Sequence, residues 1–280
     1  MSERILQSKH ARIQFINIKL RPQESQKPER YIELINSIFE SKISVNTYSD
    51  KHTRIQTLYG KGTEIIHGDL VNFTVLNPDL PAFDRENNEL KMIVYDPKLG
   101  PNAKTCAYFF VPEFHKFVII NPSKISINQI VKFLVHALPE KLNDNEEVDI
   151  TIEKSSDAIE RIINSHAKYL KVSLSYSNND NNSYWAAALD DEYRDNGIKS
   201  VEATYKADKN NLFDVSQTKT IKGNVLLSQS NGYVEANIME DDKIVHINTN
   251  DHPRIEKIAF FNDIAQSVLE KVKEIFNTLL

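Results

Sequence analysis

The chain has 280 residues, of which 40% are hydrophobic, so it is long enough to bury the core of one large domain or two smaller ones. Its formal net charge of −5 excludes a global electrostatic argument for binding nucleic acid, although a local basic face remains compatible with it. The single cysteine, Cys106, excludes an internal disulfide framework and a zinc or iron–sulfur site built from cysteines of one chain.

The first ninety-odd residues alternate between strand and helix signals. Residues 11–20 (ARIQFINIKL) are rich in apolar residues and predict a strand, and Pro28 begins a predicted helix. Residues 53–74 predict a hairpin around the turn Gly60-Lys61-Gly62. A proline-containing loop at residues 76–88 precedes a short predicted strand at residues 91–95. The buried face of the helix should consist of Tyr31, Leu34, Ile35, Ile38 and Phe39.

Residues 104–142 carry the clearest pattern in the chain. Two apolar runs, residues 108–111 and 117–120, flank Pro112-Glu113-Phe114-His115 and predict a strand, a tight turn and a second strand. Ser126 then caps a long amphipathic helix whose apolar residues recur at helical spacing, namely Ile127, Ile130, Phe133, Leu134 and Leu138. We interpret this unit as structural scaffold, because it carries no catalytic motif.

The second half mixes short strands with helices. The strands are expected at residues 147–153, 167–176 and 198–205, and as a hairpin of residues 233–239 and 243–249. Helices are expected at residues 155–163, 183–196, 216–230 and 262–279, and the asparagine-rich tract 178–182 should form a surface excursion. The whole predicts an α+β fold with antiparallel or mixed sheets, divided into domains 1–143 and 144–280 or formed as one compact unit.

A magnesium-dependent nuclease is one functional possibility. Asp79 lies upstream of Glu89 and Lys91, and carboxylates that hold a divalent cation beside a lysine that activates water are what such an enzyme needs. Asp79 falls in a proline-rich loop, however, and short matches of this kind are common by chance. A charged loop beside a strand is the simpler interpretation.

Nucleic-acid binding has diffuse support from lysines. Phosphate neutralisation needs several Lys or Arg on one face and no sequence motif. Interleaved tyrosines, Tyr169, Tyr176 and Tyr205, could stack on bases if they are exposed. A solvated, lysine-rich surface is the alternative. The candidate phosphate ligands are Lys168, Lys171, Lys199, Lys206, Lys209, Lys219 and Lys222.

Other function classes lack their signatures. The sequence contains no phosphate-binding loop, dinucleotide fingerprint, nucleophile elbow or pair of histidines at metal-binding spacing, so we expect no cofactor and no metal. A protein-binding subunit is a third hypothesis, in which the stripe Ile264, Val268, Val272 and Ile275 of the last helix forms an oligomer face; such stripes are more often core.

The order of elements also resembles a known family. The segments ARIQFINIKL, FFVPEFHKFVIINPSKIS, SLSYSNND and NGYVEANI, together with the Pro-x-x-Tyr at residues 28–31, resemble the family described as domain of unknown function 4747, which is scattered through bacterial genomes and prophages. The layout is also distantly similar to phage-exclusion proteins of the RexA type. This resemblance implies non-catalytic association with DNA, often as a dimer, in phage exclusion or abortive infection.

The sequence therefore leads to one main hypothesis. We expect a cytoplasmic protein of an anti-phage system that binds DNA or a protein partner, works as a homodimer and does not associate with membranes, since no apolar run approaches the ~20 residues that span a bilayer. The alternative is the metal-dependent nuclease that uses Asp79, Glu89 and Lys91.

Overall fold

The computed structural model describes residues 9–60, 64–122, 124–175 and 184–276. The chain has an α+β fold, as the sequence predicts. The helices are α1 (Pro28–Glu40), α2 (Ile127–Ala137), α3 (Ser156–Ile163), α4 (Tyr184–Asp195), α5 (Lys219–Asn231) and α6 (Ile264–Phe276). The strands are β1 (Lys9–Arg21), β2 (Val45–Tyr48), β3 (Lys51–Ile55), β4 (Ile66–Thr74), β5 (Ala82–Asp84), β6 (Glu89–Lys91), β7 (Lys104–Val111), β8 (Lys116–Ile120), β9 (Glu147–Ile152), β10 (His166–Ser175), β11 (Ser200–Lys206), β12 (Phe213–Asp214), β13 (Gly232–Glu240), β14 (Lys243–Asn248) and β15 (Ile255–Phe260).

The larger sheet has the strand order β15-β1-β8-β7-β4-β3-β2, and β9 also pairs with β1. The apolar faces of α1 and α2 cover one side of it, where Tyr31, Leu34 and Phe133 join the core. Helix α6 covers part of the other side through Val268, Leu269, Val272 and Phe276. Strand β1 is therefore buried on both faces over most of its length.

The second sheet has the order β11-β10-β13-β14, with the short β12 beside β10. Helices α3, α4 and α5 pack on one of its faces around Leu170, Val172 and Val225. Gly232 leads directly from α5 into β13 and lies so close to the carbonyl oxygen of Ser173 that a side chain there would collide with it.

The sheets do not divide at the expected boundary between residues 143 and 144. Strands β9 and β15, which both follow that boundary, pair with β1, and α6 packs on the same sheet. Two strands of the larger sheet also differ from the sequence-based expectation. Strand β15 and strand β2 were not predicted, because their short runs lack a clear alternation of apolar residues.

A short stretch expected to be a strand is not one. Only Glu89–Lys91 pairs, with β5, in a separate two-stranded hairpin. Residues 92–95 form no strand, and Met92 and Val94 are exposed. The apolar run suggested a buried strand, but the proline-containing loops on both sides keep it away from either sheet.

A cluster of buried polar side chains joins the two sheets. Asn17 of β1 donates from Nδ2 to Glu153 Oε2 at 2.9 Å and to the carbonyl oxygen of Ser230 at 2.9 Å. Ser230 Oγ lies 2.9 Å from Glu153 Oε1, and Lys19 Nζ donates to Asn231 Oδ1 at 2.7 Å. We call these residues, together with Lys116, the polar junction.

Lys116 supplies the charge that balances Glu153 in the polar junction. Its ammonium donates to Asn17 Oδ1, lies 3.5 Å from Glu153 Oε2 and sits 4.2 Å from the centre of the Phe276 ring. Glu153 and Lys116 are each 1% exposed. A buried carboxylate is tolerated only when it is paired and hydrogen-bonded. Because the partners of Glu153 lie on β1, on β8 and in the last turn of α5, these contacts fix the end of α5 relative to both strands.

We expect Glu153→Leu to lower the free energy of unfolding by about 3–5 kcal/mol, because it leaves the buried Lys116 ammonium without its counter-charge. Urea unfolding followed by circular dichroism measures this. The double variant Lys116→Met/Glu153→Leu should be more stable than Glu153→Leu alone. Glu64→Gln, which removes an exposed ion pair with Lys273, is the control and should change stability by less than about 1 kcal/mol. Equal stability of Glu153→Leu and the wild type would contradict the role of the junction.

Lys154, next to the polar junction, makes the free energy of unfolding depend on pH. Burial lowers its pKa from the ordinary value of 10.5 to about 8, while the charge of Glu153 opposes the shift. Between those values the unfolded chain holds a proton that the folded chain has lost, so folding stability from this group rises with pH. We expect the wild type to gain about 1 kcal/mol relative to Lys154→Met between pH 7 and pH 9, measured by urea unfolding at each pH. A difference between the two proteins that stays constant over this range would show that Lys154 keeps an ordinary pKa.

Candidate nucleic-acid interface

The second sheet has one face packed under helices and one face in contact with solvent. Residues directly opposite each other on antiparallel strands point to the same side of the sheet. Because Leu170, Val172 and Leu174 point to the helices, the alternate residues of β10 and their partners form the other side. Three rows run across it: Lys206, Tyr169, Asn237 and His246; then Thr204, Lys171, Glu235 and Asn248; then Glu202, Ser173 and Tyr233. We call these residues the open face; each is exposed or half-buried.

The first row has the chemistry of a stacking platform. Tyr169 of β10 lies between Lys206 of β11 and Asn237 of β13. His246 of β14 follows, with its Nδ1 atom 2.9 Å from Asn237 Oδ1. Tyr233 adds a second tyrosine two rows away. Proteins that bind single-stranded nucleic acid combine aromatic rings of this kind with lysines that contact phosphates.

The charge of the open face is balanced rather than basic. Lys171 and Lys206 are its lysines, and Glu202 and Glu235 are its carboxylates. Asn248 Nδ2 lies 3.5 Å from Glu235 Oε1, so that carboxylate is partly engaged within the sheet. A ligand on this face would therefore gain more from stacking than from phosphate neutralisation.

The structure distributes the candidate lysines over several surfaces. Lys171 and Lys206 share the open face. Lys168 is the extra residue at an irregularity in β10, and its ammonium donates to the carbonyl oxygens of Asp208 at 2.6 Å and Asn211 at 3.2 Å. Lys199, just before β11, forms an ion pair of 2.5 Å with Glu147 of β9.

The remaining candidate lysines lie away from the open face. Lys209 is exposed in the loop after β11. Lys219 and Lys222 lie in the first turn of α5, which packs on the opposite side of the sheet. The seven lysines therefore do not form one continuous patch, and their separation in sequence gave no sign of this.

The tyrosines divide in the same way. Tyr169 lies on the open face, whereas Tyr205 points to the helices, where it packs against the second core, and its hydroxyl oxygen is 3.4 Å from Asn224 Nδ2. Tyr205 therefore does not share the open face with Tyr169. Tyr176 and the asparagine tract 178–182 lie outside the described residues.

Among the residues of the open face that were not sequence candidates, Tyr233, Asn237 and His246 have side chains suited to contact bases. The signal for Tyr233 and Asn237 was present in the alternation of residues 232–240, where Val234, Ala236 and Ile238 are buried and the residues between them are not. The pattern gives the face of each strand, but only the strand order brings β13 and β14 beside Tyr169.

The nuclease candidates lie on the small hairpin of β5 and β6. Lys91 Nζ contacts Asp84 Oδ2 at 2.5 Å and Glu89 Oε1 at 3.0 Å. These contacts raise the pKa of Lys91, and the hydrogen bond with Asp84 is the largest cause. The same hydrogen bond is the main reason that the pKa of Asp84 lies well below its usual range. Asp79 lies in the preceding turn, where its backbone N–H donates to Asn77 Oδ1 at 2.9 Å. Lys91 is thus engaged in an exposed salt bridge.

In the part of the chain that the structure describes, no three His, Cys, Asp or Glu side chains come together in a way that could hold a metal ion. The nuclease alternative remains a prediction that no geometric feature of the hairpin favours.

The apolar stripe of α6 and the single cysteine both belong to the core of the larger sheet. In the stripe of α6, Val268 and Val272 are buried, and Ile264 and Ile275 pack against the same core. Cys106 is buried, and burial raises the pKa of its thiol to about 11. The stripe is therefore packed within the chain, and the thiol is a poor nucleophile at neutral pH.

Among the helices of the described residues, none is long and apolar enough to span a membrane.

Comparison with known proteins identifies the family but not a function. No curated protein matches the chain. One family model does match, over residues 9–277, and its description is "Domain of unknown function (DUF4747)". This range contains every strand and helix of both sheets, including the open face. The chain therefore belongs to the DUF4747 family, the family whose sequences it was seen to resemble.

Proposed function

We propose that this chain is a non-catalytic nucleic-acid-binding component of an anti-phage system and that it binds single-stranded nucleic acid through the open face. The observation that carries this proposal is the row Lys206, Tyr169, Asn237 and His246, which places an aromatic ring, a cation and an amide side by side on an uncovered sheet. Bases would stack on Tyr169 and Tyr233, since base–aromatic stacking contributes about 1–3 kcal/mol per base.

Single strands fit this surface better than a duplex. The open face presents its rings across a four-stranded sheet, and a ring can stack only on a base that is already unpaired. Duplex binding without base contacts would instead depend on many phosphate contacts, whereas the face offers two lysines opposed by two glutamates. Asn237 and His246 add hydrogen-bonding groups for base edges.

The wider role rests on the resemblance to phage-exclusion proteins. We place the protein in the cytoplasm, in an exclusion or abortive-infection pathway, as a homodimer or with a protein partner of the same system. Contact with a partner is supported by large apolar side chains that the hairpin region exposes to solvent: Leu80, Phe83, Leu90, Met92, Val94 and Leu99. These residues lie in and around the separate two-stranded hairpin and not on the sheet that carries the open face, so that partner and nucleic acid would not compete for the same residues.

We expect Lys171→Glu/Lys206→Glu to weaken binding of a fluorescent single-stranded oligonucleotide by about tenfold or more, measured by anisotropy at several salt concentrations. For the wild type, the slope of log K against log salt should be about −1.4, because two lysines contribute about −0.7 each on a single strand. The variant's slope should approach zero.

The matched control is Lys219→Glu/Lys222→Glu, which makes the same change of charge on α5. It should bind nearly as well as the wild type. Stronger weakening by the α5 variant than by the open-face variant would move the interface to the helices. In cells, phage plating should show protection with the wild type and loss of protection with Lys171→Glu/Lys206→Glu; protection by both would separate the anti-phage role from this face.

A further inference from the structure

A second polar surface lies on the larger sheet, at its end near β15. Helices α1 and α2 cover the face of β1 that carries Ile16, Ile18 and Leu20. His10, Arg12 and Gln14 point to the same side by alternation, but they line an open groove of about 930 Å³. The other lining residues are Ala11, Asn121, Pro122, Ile255 and Lys257.

Two cations face each other in this groove. Arg12 of β1 and Lys257 of β15 are direct partners on antiparallel strands, and both are exposed. Like charges in this position repel each other. Within the described residues neither side chain forms an ion pair, and the nearby Glu256 bonds to Arg254 at 2.8 Å instead. Such a pair is suited to an anion that contacts both cations.

The floor of the groove holds an amide whose oxygen lacks a donor. Gln14 is 8% exposed, and its Oε1 atom has no hydrogen-bond partner among the described residues. Buried amide oxygens are almost always paired. A ligand N–H that reached this atom would supply the missing bond.

The cation, the amide and the apolar residues occupy different positions along the groove. Arg12 and Gln14 are two residues apart on a strand, which corresponds to about 6–7 Å. Ile255, the strand partner of Gln14, is 52% exposed and forms an apolar wall with Pro122. The groove thus combines a cationic end, a hydrogen-bonding amide and an apolar wall.

We propose that this groove binds an adenosine phosphate, with the phosphate on Arg12 and Lys257, the adenine against Ile255, and its amino group donating to Gln14 Oε1. A glutamine amide matches adenine because it can accept from the amino group and donate to the ring nitrogen N7. The same chemistry is found in a free nucleotide and in the 5′-phosphorylated adenosine at the end of a strand. The groove lies on the other sheet from the open face, so this inference does not depend on the proposed function.

Isothermal titration calorimetry of the full chain tests the phosphate contacts. AMP is expected to bind the wild type with a Kd below about 1 mM, and Arg12→Glu/Lys257→Glu should weaken it at least tenfold. The control Arg85→Glu/Lys98→Glu reverses two exposed cations elsewhere and should leave AMP binding unchanged. Absence of AMP binding to the wild type, or equal loss in both double variants, would overturn the proposal.

The base contact has its own test. IMP, in which a carbonyl replaces the adenine amino group, should bind the wild type several-fold more weakly than AMP, and Gln14→Leu should remove that difference. Circular dichroism melting would confirm that Gln14→Leu is folded. Inorganic phosphate that binds as tightly as AMP, or IMP that binds equally well, would rule out the adenosine assignment.

Two oligonucleotides identify the source of the ligand. A 5′-phosphorylated oligoadenylate that binds the groove more tightly than AMP, and loses this advantage without its 5′-phosphate, would point to a strand end. AMP that binds as tightly as the oligonucleotide would point to a free nucleotide. In either case Arg12→Glu/Lys257→Glu must weaken the tighter ligand, and binding that this variant leaves intact would place the ligand elsewhere.

Discussion

The polar junction is the constraint on which the arrangement of the two sheets depends. Glu153 is buried with Lys116, and its two oxygens receive hydrogen bonds from Asn17 and Ser230. A charge pair buried to this degree is stable only in one geometry, because any displacement leaves a charge without its partner in a region of low dielectric constant. Since Ser230 lies in the last turn of α5 and Gly232 begins β13, that geometry also positions the second sheet relative to the first.

This arrangement leaves two different surfaces uncovered. On the second sheet, all helices lie on one side, so the open face keeps its tyrosines, lysines and amides in contact with solvent. On the larger sheet, α1 and α2 cover β1 from Ile16 onward and leave the groove around Arg12 and Gln14. The first surface suits stacked bases, and the second suits a single phosphate with an attached base.

The sequence predicted local structure well where one face of an element is apolar. Helices α1, α2 and α6 and the hairpin of β13 and β14 follow from apolar spacing alone. It failed for residues 92–95, where an apolar run lies in an exposed loop. It could not predict the polar junction either, because Asn17 and Lys19 look like the wet face of a strand until α5 and α6 are known to cover them. Only part of the open face could be predicted. Alternation assigns Tyr169 and Lys171 to one side of their strand, but the strand order, which the sequence does not give, is needed to bring Tyr233 and His246 to the same face.

Photo-cross-linking tests the central claim most directly. The wild-type chain is irradiated with a single-stranded oligonucleotide that contains a photoreactive base, and the modified peptides are identified by mass spectrometry. The account predicts that cross-links concentrate on Tyr169, Tyr233 and His246, which lie on three adjacent strands of one face. Cross-links confined to the first turn of α5 or to the hairpin of β5 and β6 would contradict it.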